Sequence, residues 1–162
     1  MKHKTTLIVR GGGDLASGVI HRLYKCGYQV LVLECAKPSA IRRRVSFGEA
    51  VYDGTSRVEG VTGRLIKDIS ECRKVWDEKE IPILVDENAD AVSELKPDAL
   101  IDAILAKKNL GTTRMMAPLT IGLGPGFTAR VDVDYVVETQ RGHNLARVIE
   151  TGTAAPNTGI PG

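Results

Sequence analysis

The segment from Thr5 to Glu34 constrains the fold more than any other part of this sequence. It contains a β-branched apolar run at Thr6–Val9, three glycines at Gly11–Gly13, a helix-patterned stretch and a second apolar run that ends at Glu34. An apolar run that leads into glycines is typical of a buried parallel strand entering a tight turn. The segment therefore predicts a strand–helix–strand unit of the nucleotide-binding type.

The predicted helix of this unit follows the glycines directly. Asp14 is expected to cap it by accepting a backbone N–H of the first turn. Gly27 stands where a glycine in the left-handed conformation commonly ends a helix. Apolar residues recur between them at helical spacing. The inward-facing stripe is predicted to consist of Leu15, Ala16, Val19, Ile20 and Leu23.

The small residues of the turn fit the spacing G-x-G-x-x-G/A as Gly11, Gly13 and Ala16. In dinucleotide-binding folds these positions serve the turn, the approach of a phosphate and helix-to-strand packing. Glu34 lies about 20 residues further on, where an acidic residue binds the ribose in such folds. The residues predicted to bind a cofactor in this unit are Gly11, Gly12, Gly13, Asp14, Leu15, Ala16 and Glu34.

Asp14 leaves a second interpretation open. Its negative charge lies at the positive end of the helix dipole, where a pyrophosphate would otherwise bind. On that interpretation Asp14 is only a helix cap and the glycines only form a tight turn. The strand–helix–strand topology is predicted in either case.

The rest of the chain alternates short strands and helices, which predicts a three-layer α/β domain with a mostly parallel central sheet and Rossmann-like topology. Its length of 162 residues indicates one such domain, over residues 1–150, and residues 151–162 form a turn-rich, linker-like tail with nothing to bury. Further strands are predicted at Ile81–Asp86, Ala99–Ala103, Pro118–Leu123 and Tyr135–Glu138, extended pieces at Val58–Ile66 and Leu145–Ile149, and helices at Lys37–Val45, Phe47–Tyr52, Asp68–Glu78 and Ala89–Leu95.

Two later loops are further candidates for ligand binding. One carries Lys107 and Asn109 after the fourth predicted strand, and the other carries Gly124 and Gly126 after the fifth. Ligands bind at the carboxyl ends of strands in α/β sheets. We therefore expect both loops to face the same crevice as the first glycine loop.

Candidates for proton transfer are few. His143 follows the sixth predicted strand, and Asp102 lies within the fourth. Neither belongs to a recognisable dehydrogenase motif, and an ordinary loop histidine is an equal alternative for His143. The arginines at 42–44 are more typical of a solvated turn than of a phosphate site. Catalytic residues are therefore left unassigned.

Composition argues against several classes of protein. Cys26, Cys35 and Cys72 have no C-x-x-C spacing, and no two of the three histidines are paired at helical spacing, so we expect no metal site and no disulfide framework. A net charge of +2 with 4% aromatic residues argues against a nucleic-acid partner. No apolar run reaches membrane-spanning length, and no signal-peptide core follows the basic N-terminus, so a cytoplasmic location is expected.

Several separate motifs together resemble one protein family. They are VRGGGDLASGV, IRRRVSFGEAVYDG, PILVD, AKKNLGT, IGLGPGF, ETQRGHNLARVI and AAPNTGIPG, and they span essentially the whole chain. The chain resembles the YqeB-type accessory proteins of the selenium-dependent molybdenum hydroxylase system, distant relatives of the Rossmann domain in xanthine dehydrogenase maturation factors. The resemblance implies a factor that assists insertion or modification of the molybdenum cofactor. Its partners would be the client hydroxylase or other cofactor-assembly proteins.

The resemblance has two departures. The family's usual chain continues past AAPNTGIPG into a small β-rich domain similar to a biotinyl or lipoyl carrier barrel, which is absent from this sequence. The GGGD turn is also similar to that of the precorrin-oxidising enzymes of sirohaem synthesis, which use a nicotinamide cofactor.

The leading hypothesis is a maturation factor that holds a phosphorylated cofactor, either a dinucleotide such as NAD(P) or a molybdopterin species. An NAD(P)-dependent oxidoreductase and a ligand-free interaction domain are the alternatives. The sequence leaves open whether the protein forms a homo-oligomer.

Overall fold

A computed structural model describes residues 4–156, which form a large central sheet with helices on both faces. The sheet contains β1 (Thr6–Arg10), β2 (Gln29–Glu34), β3 (Thr55–Val58), β4 (Val61–Ile66), β5 (Ile81–Val85), β6 (Ala99–Asp102), β7 (Leu119–Leu123), β9 (Tyr135–Val137) and β10 (Val148–Ile149). A separate antiparallel pair is formed by β8 (Thr128–Ala129) and β11 (Gly152–Thr153). The helices are α1 (Asp14–Lys25), α2 (Ala50–Asp53), α3 (Cys72–Asp77) and α4 (Ala91–Leu95), and short 3-10 turns lie at Arg43–Val45, Phe47–Glu49, Ile69–Glu71 and Arg114–Met116.

The strands of the large sheet follow the order β10-β9-β7-β6-β1-β2-β5-β4-β3. All neighbouring strands from β9 to β4 are parallel, and the two edge strands β10 and β3 are antiparallel to their neighbours. The central strand β1 lies between β2 and β6, so that Val9 is paired with Val32 on one side and with Ile101 on the other. The chain order reverses beside β1, which makes the gap between the carboxyl ends of β1 and β6 the topological switch point.

The sheet separates two hydrophobic cores. Side chains alternate along each strand, so Val9 and Val32 face α1 and α2, whereas Ile8 and Leu31 face α3 and α4. All four of these side chains are fully buried. The predicted three-layer, mostly parallel, Rossmann-like α/β fold is therefore confirmed.

Helix α1 begins one residue earlier than its predicted cap implies. Gly13 holds the cap position, because its carbonyl accepts the first helical bond from Ser17 N at 2.8 Å, and Asp14 is already the first helical residue. The prediction that Asp14 caps the helix is therefore wrong. Leu15 was also predicted to face the core but is 59% exposed, because the buried face of α1 is centred on Ala16 and Ile20.

Two other segments differ from their predicted structure. No helix spans Lys37–Val45, where the only regular structure is the 3-10 turn at Arg43–Val45, and Ile41 is 95% exposed. Without an apolar face to bury, a short helix gains too little packing to form. Residues 151–156 are not free of packing either, since they include β11 and the buried Ala154. Residues 157–162 of the predicted tail lie outside the described residues.

In residues 4–156 there is no helix with the length and apolarity needed to cross a membrane.

Candidate functional site

Gly11 ends β1 at the switch point, and both its conformation and its surroundings require glycine. Its φ is +97°, a value that side-chain-bearing residues rarely adopt. A Cβ atom there would lie 2.9 Å from the carbonyl oxygen of Ala103 and 3.0 Å from Cα of Ile104. The glycine loop therefore lies directly against the backbone that follows β6.

Gly12 is enclosed by the rest of the protein. Its N–H donates to Oε2 of Glu34 at 2.7 Å, and its carbonyl accepts the N–H of Gly48 at 2.8 Å. A Cβ atom on Gly12 would lie 2.9 Å from the nitrogen of Gly48. Gly12 is therefore required by the packing of the 3-10 turn at Phe47–Glu49 onto the loop.

Gly13 is the exception among the three glycines. Its φ of −69° is accessible to any residue, and no heavy atom lies within 4 Å of a Cβ built there. Across residues 4–156, the N–H groups of Gly13, Asp14 and Leu15 have no hydrogen-bond acceptor, as expected at the start of a helix without a side-chain cap. The fold therefore gives no reason of its own for a glycine at position 13.

A cavity of about 180 Å³ lies at the switch point beside these glycines. It is bounded by the glycine loop, by the segment that follows β2, by the turn at Gly48 and by the chain after β6. Its lining residues are Gly11, Gly12, Gly13, Glu34, Cys35, Lys37, Pro38, Ser39, Ala40, Gly48, Glu49, Ala103 and Ile104. Four of the predicted binding residues, Gly11, Gly12, Gly13 and Glu34, are thus brought together.

Glu34 has a different contact from the one its spacing suggests. Its Oε2 accepts the N–H of Gly12, and its Oε1 accepts the N–H of Cys35 at 2.8 Å. Both carboxylate oxygens therefore accept hydrogen bonds from backbone N–H groups, and Glu34 fixes the position of the glycine loop. A carboxylate oxygen has further lone pairs, so a ligand hydroxyl at the cavity can still bind to it.

Ser17 also organises the loop, and the sequence reasoning missed it. Its Oγ donates to the carbonyl of Gly12 at 3.2 Å and accepts the N–H of Phe47 at 2.8 Å, in the buried first turn of α1. The sequence did contain a signal for this role, since Ser17 is a polar residue on the inward face of a helix that starts at a glycine loop. Gly48 was missed as well, since nothing in its local sequence indicates that it packs on Gly12.

Asp14, Leu15 and Ala16 do not line the cavity with their side chains. Ala16 is buried in the core against the sheet, which agrees with the packing role predicted for the third small residue. Asp14 and Leu15 offer backbone N–H groups to a ligand beside the loop.

The two later loops lie at the same edge of the sheet but outside the cavity. Asn109 uses its side chain within its own turn, accepting the N–H groups of Gly111 and Thr112 and donating to the carbonyl of Thr112. Lys107 is exposed. Neither Lys107 nor Asn109 lines the switch-point cavity.

The glycines of the second glycine-rich loop are accounted for by backbone conformation and packing. Gly124 and Gly126 have φ values of +79° and +104°. Cβ atoms on them would lie 2.8 Å from Thr139 Oγ1 and 2.7 Å from Cα of Lys108, respectively. Gly126 packs on the loop after β6, and neither glycine lines the switch-point cavity.

Asp102 belongs to a buried network at the end of β6. Its Oδ2 accepts the hydroxyl of Thr112 at 2.6 Å and lies 4.0 Å from Nη1 of Arg10, and its Oδ1 accepts the N–H of Ile104. Arg10 in turn donates to Thr112 Oγ1 at 2.7 Å and to the carbonyl of Glu87 at 2.8 Å. With 1% of its surface exposed, Asp102 has the geometry of a structural residue rather than of a proton donor.

His143 is exposed in the loop after β9, and the structure assigns its side chain no hydrogen bond or ion pair within residues 4–156. It does not line the switch-point cavity. This geometry matches the ordinary loop histidine of the alternative interpretation.

Cys35 is the thiol of the cavity. Burial raises its pKa, a backbone hydrogen bond from Lys37 opposes the rise, and the Glu34 carboxylate adds to it. The thiol is therefore neutral and poorly nucleophilic at physiological pH. Across the described part of the chain, no group of three or more His, Cys, Asp or Glu side chains has an arrangement that could hold a metal ion.

The fold and the cavity together define a Rossmann-like α/β domain with a candidate ligand site at its topological switch point. The chain is 52% identical over 156 residues, 96% of its length, to a protein named "Uncharacterized protein YqeB" from Escherichia coli (strain K12). The chain spans 29% of the length of that relative. No family model and no solved structure matches the chain.

Proposed function

We propose that this domain binds the phosphate-bearing part of a cofactor at the switch-point cavity. The observation that carries the proposal is the contrast between the three glycines. Gly11 and Gly12 are required by the fold, whereas at Gly13 there is open space in front of N–H groups that have no acceptor in residues 4–156. Backbone N–H groups at a helix N-terminus are suited to hydrogen bonding with an anion.

The size of the cavity limits what it encloses. A volume of about 180 Å³ is below the ~300–1,000 Å³ of pockets that bury most of a drug-sized ligand. The cavity therefore takes one phosphate and its neighbouring atoms, and the remainder of a dinucleotide or a molybdopterin species extends outside. Lys37 at the rim supplies a positive charge that offsets part of the negative charge of Glu34 and Glu49.

The biological role proposed for this ligand is in the maturation of a molybdenum hydroxylase. That role rests on the resemblance of the sequence motifs to accessory proteins of the selenium-dependent molybdenum hydroxylase system. A domain that holds a phosphorylated cofactor without a recognised proton-transfer pair is suited to carrying or presenting it.

Ligand binding is tested by replacing the one glycine that the fold does not require. Gly13→Val is expected to fold normally and to abolish binding, because the side chain fills the space in front of the N–H groups. The expected loss is several kcal/mol, as when charge-assisted hydrogen bonds are blocked. Native mass spectrometry of the purified protein should detect a phosphorylated small molecule in the parent but not in Gly13→Val.

Gly18→Val is the matched control, since Gly18 also has open space beside it but lies five residues further along the chain, within α1. Calorimetric titration with NADP⁺ and with inorganic pyrophosphate compares the same three proteins. Equal affinity of Gly13→Val and the parent would show that the glycines serve only the turn.

The maturation role is tested in cells. Deletion of the gene is expected to leave the client hydroxylase folded but short of active metal centre, because an accessory protein changes cofactor loading rather than the fold of its client. A deletion strain with fully loaded, fully active hydroxylase would contradict the role. NAD(P)-dependent turnover of a small substrate, lost in Glu34→Ala or His143→Ala, would favour the oxidoreductase alternative instead.

A further inference from the structure

A second depression lies at the opposite edge of the sheet, where β1, β2 and β5 begin. It has a volume of about 270 Å³ and is open to solvent. The sequence has one tryptophan, four tyrosines and two phenylalanines, and three of these seven aromatic residues line this one depression. Its aromatic and basic lining residues are Lys4, Tyr24, Lys25, Tyr28, Trp76 and Lys79.

The aromatic rings are held in place by bonds to the backbone. Tyr24 comes from the α1 side of the sheet, and its hydroxyl donates to the carbonyl of Lys79 at 2.8 Å. Trp76 comes from the α3 side, and its Nε1 donates to the carbonyl of Val30 at 2.9 Å. Tyr28 between them is 39% exposed. Rigid aromatic side chains with an accessible surface are typical of protein–protein contact sites.

The charge of the depression is positive. None of the carboxylates in the described part of the chain lies within 4 Å of the ammonium groups of Lys4, Lys25 or Lys79. The one acidic residue of the lining, Glu80, is held by Arg64, which donates to both of its carboxylate oxygens. An incoming acidic group therefore meets three unpaired cations and no competing free carboxylate.

We infer that this aromatic–basic depression docks an acidic, aromatic-containing segment of a partner protein. The depression is too open to enclose a small molecule, and none of its lining residues is an arginine. Bidentate recognition of a phosphate is therefore not built into it. Lysines around an aromatic floor are complementary to carboxylates that flank an apolar or aromatic side chain. The site is separate from the switch-point cavity and does not depend on the function proposed for that cavity.

Trp76 makes the site directly observable, because it is the only tryptophan of the chain. The probe is a synthetic peptide of glutamate and aspartate residues around a central phenylalanine, titrated at low ionic strength while tryptophan emission is recorded. The acidic peptide is expected to shift the emission of Trp76 saturably. The double variant Lys25→Glu/Lys79→Glu is expected to weaken binding at least about 10-fold, since it replaces attraction by like-charge repulsion.

Lys67→Glu is the matched control, because Lys67 is also an exposed lysine and follows β4 at the other edge of the sheet. It should bind the peptide as the parent does, and Tyr28→Ser, which changes no charge, should weaken binding. The inference is overturned if the double variant binds like the parent, or if Lys67→Glu loses as much affinity, which would indicate a general effect of net charge. Tighter binding of a single-stranded DNA oligonucleotide than of the peptide would also overturn it.

Discussion

At the scale of single residues, Glu138 shows how one buried carboxylate joins distant parts of the chain. It lies at the end of β9 and is 6% exposed. Its Oε1 accepts the N–H groups of Thr139 at 2.9 Å and Gln140 at 2.8 Å, and its Oε2 accepts the N–H of Ala155 at 2.8 Å. Burial raises its pKa, but the three backbone donors outweigh burial, and the pKa lies below its ordinary value.

A variant of this residue should show the corresponding pH dependence. Glu138→Gln is expected to lower the free energy of unfolding by about 1–3 kcal/mol at pH 7, because one charge-assisted acceptor group is lost. A depressed folded-state pKa means that the stabilisation is complete above the unfolded pKa, near 4.5, and is lost as the pH falls through the folded pKa. Urea titrations from pH 7 to pH 3 should show the two proteins converging at acidic pH.

Glu150→Gln serves as the control for that measurement, since Glu150 is exposed. A difference between Glu138→Gln and the parent that does not change with pH would show that the carboxylate charge contributes nothing at this position.

At the scale of elements, the segment between β6 and the 3-10 turn at Arg114–Met116 is attached to the sheet by the buried network at Arg10. Thr112 is the central member, because its hydroxyl accepts from Arg10 and donates to Asp102. The direct separation of Arg10 Nη1 and Asp102 Oδ2 is 4.0 Å, so without the hydroxyl neither charge has a close partner at that position. The loop that borders the switch point is therefore held by a side-chain hydroxyl.

Removing that hydroxyl should loosen the loop. Thr112→Val keeps the shape of the side chain but leaves two buried charges incompletely paired, which is expected to cost about 1–3 kcal/mol. Hydrogen–deuterium exchange in residues 104–113 should become faster, while β1 and β6 change less. Thr113→Val, one residue away and exposed, should leave exchange unchanged. Equal protection of the loop in Thr112→Val and the parent would show that other contacts hold it.

At the scale of the whole molecule, the two cores are coupled through a single sheet. Each strand contributes alternate side chains to the core on the α1 face and to the core on the α3 face, so neither can loosen without moving strands that serve the other. Ile20 is fully buried on the α1 face, and Trp76 packs on the opposite face. The protein is therefore expected to unfold as one cooperative unit.

A substitution on one face should be detected by the tryptophan on the other. Ile20→Ala is expected to lower the free energy of unfolding by about 2–5 kcal/mol through lost packing and cavity formation. The denaturation midpoint followed by Trp76 fluorescence should decrease together with the midpoint followed by far-UV circular dichroism. Leu15→Ala on the exposed side of the same helix should change neither by much. An earlier transition by circular dichroism, with Trp76 unaffected, would show that the faces unfold separately.

Local patterns in the sequence were enough to predict the strand–helix–strand unit, the buried parallel strands and the glycine turn at Gly11. These features follow from side-chain periodicity and from backbone conformations that depend on a few neighbouring residues. The spacing of Glu34 from the glycines also correctly predicted that the two would meet, although the 2.7 Å bond it forms is to the backbone of Gly12.

The tertiary structure decided which of these residues form the candidate site. Gly48 packs on Gly12, and Ser17 binds Phe47 across 30 residues of sequence. Arg10 meets Thr112 across 102 residues, and Ala155 returns to Glu138. Such contacts depend on how whole strands are ordered in the sheet, which short-range patterns do not encode. For the same reason, only the fold could show that Gly13 is the one glycine of the loop that its own packing does not require.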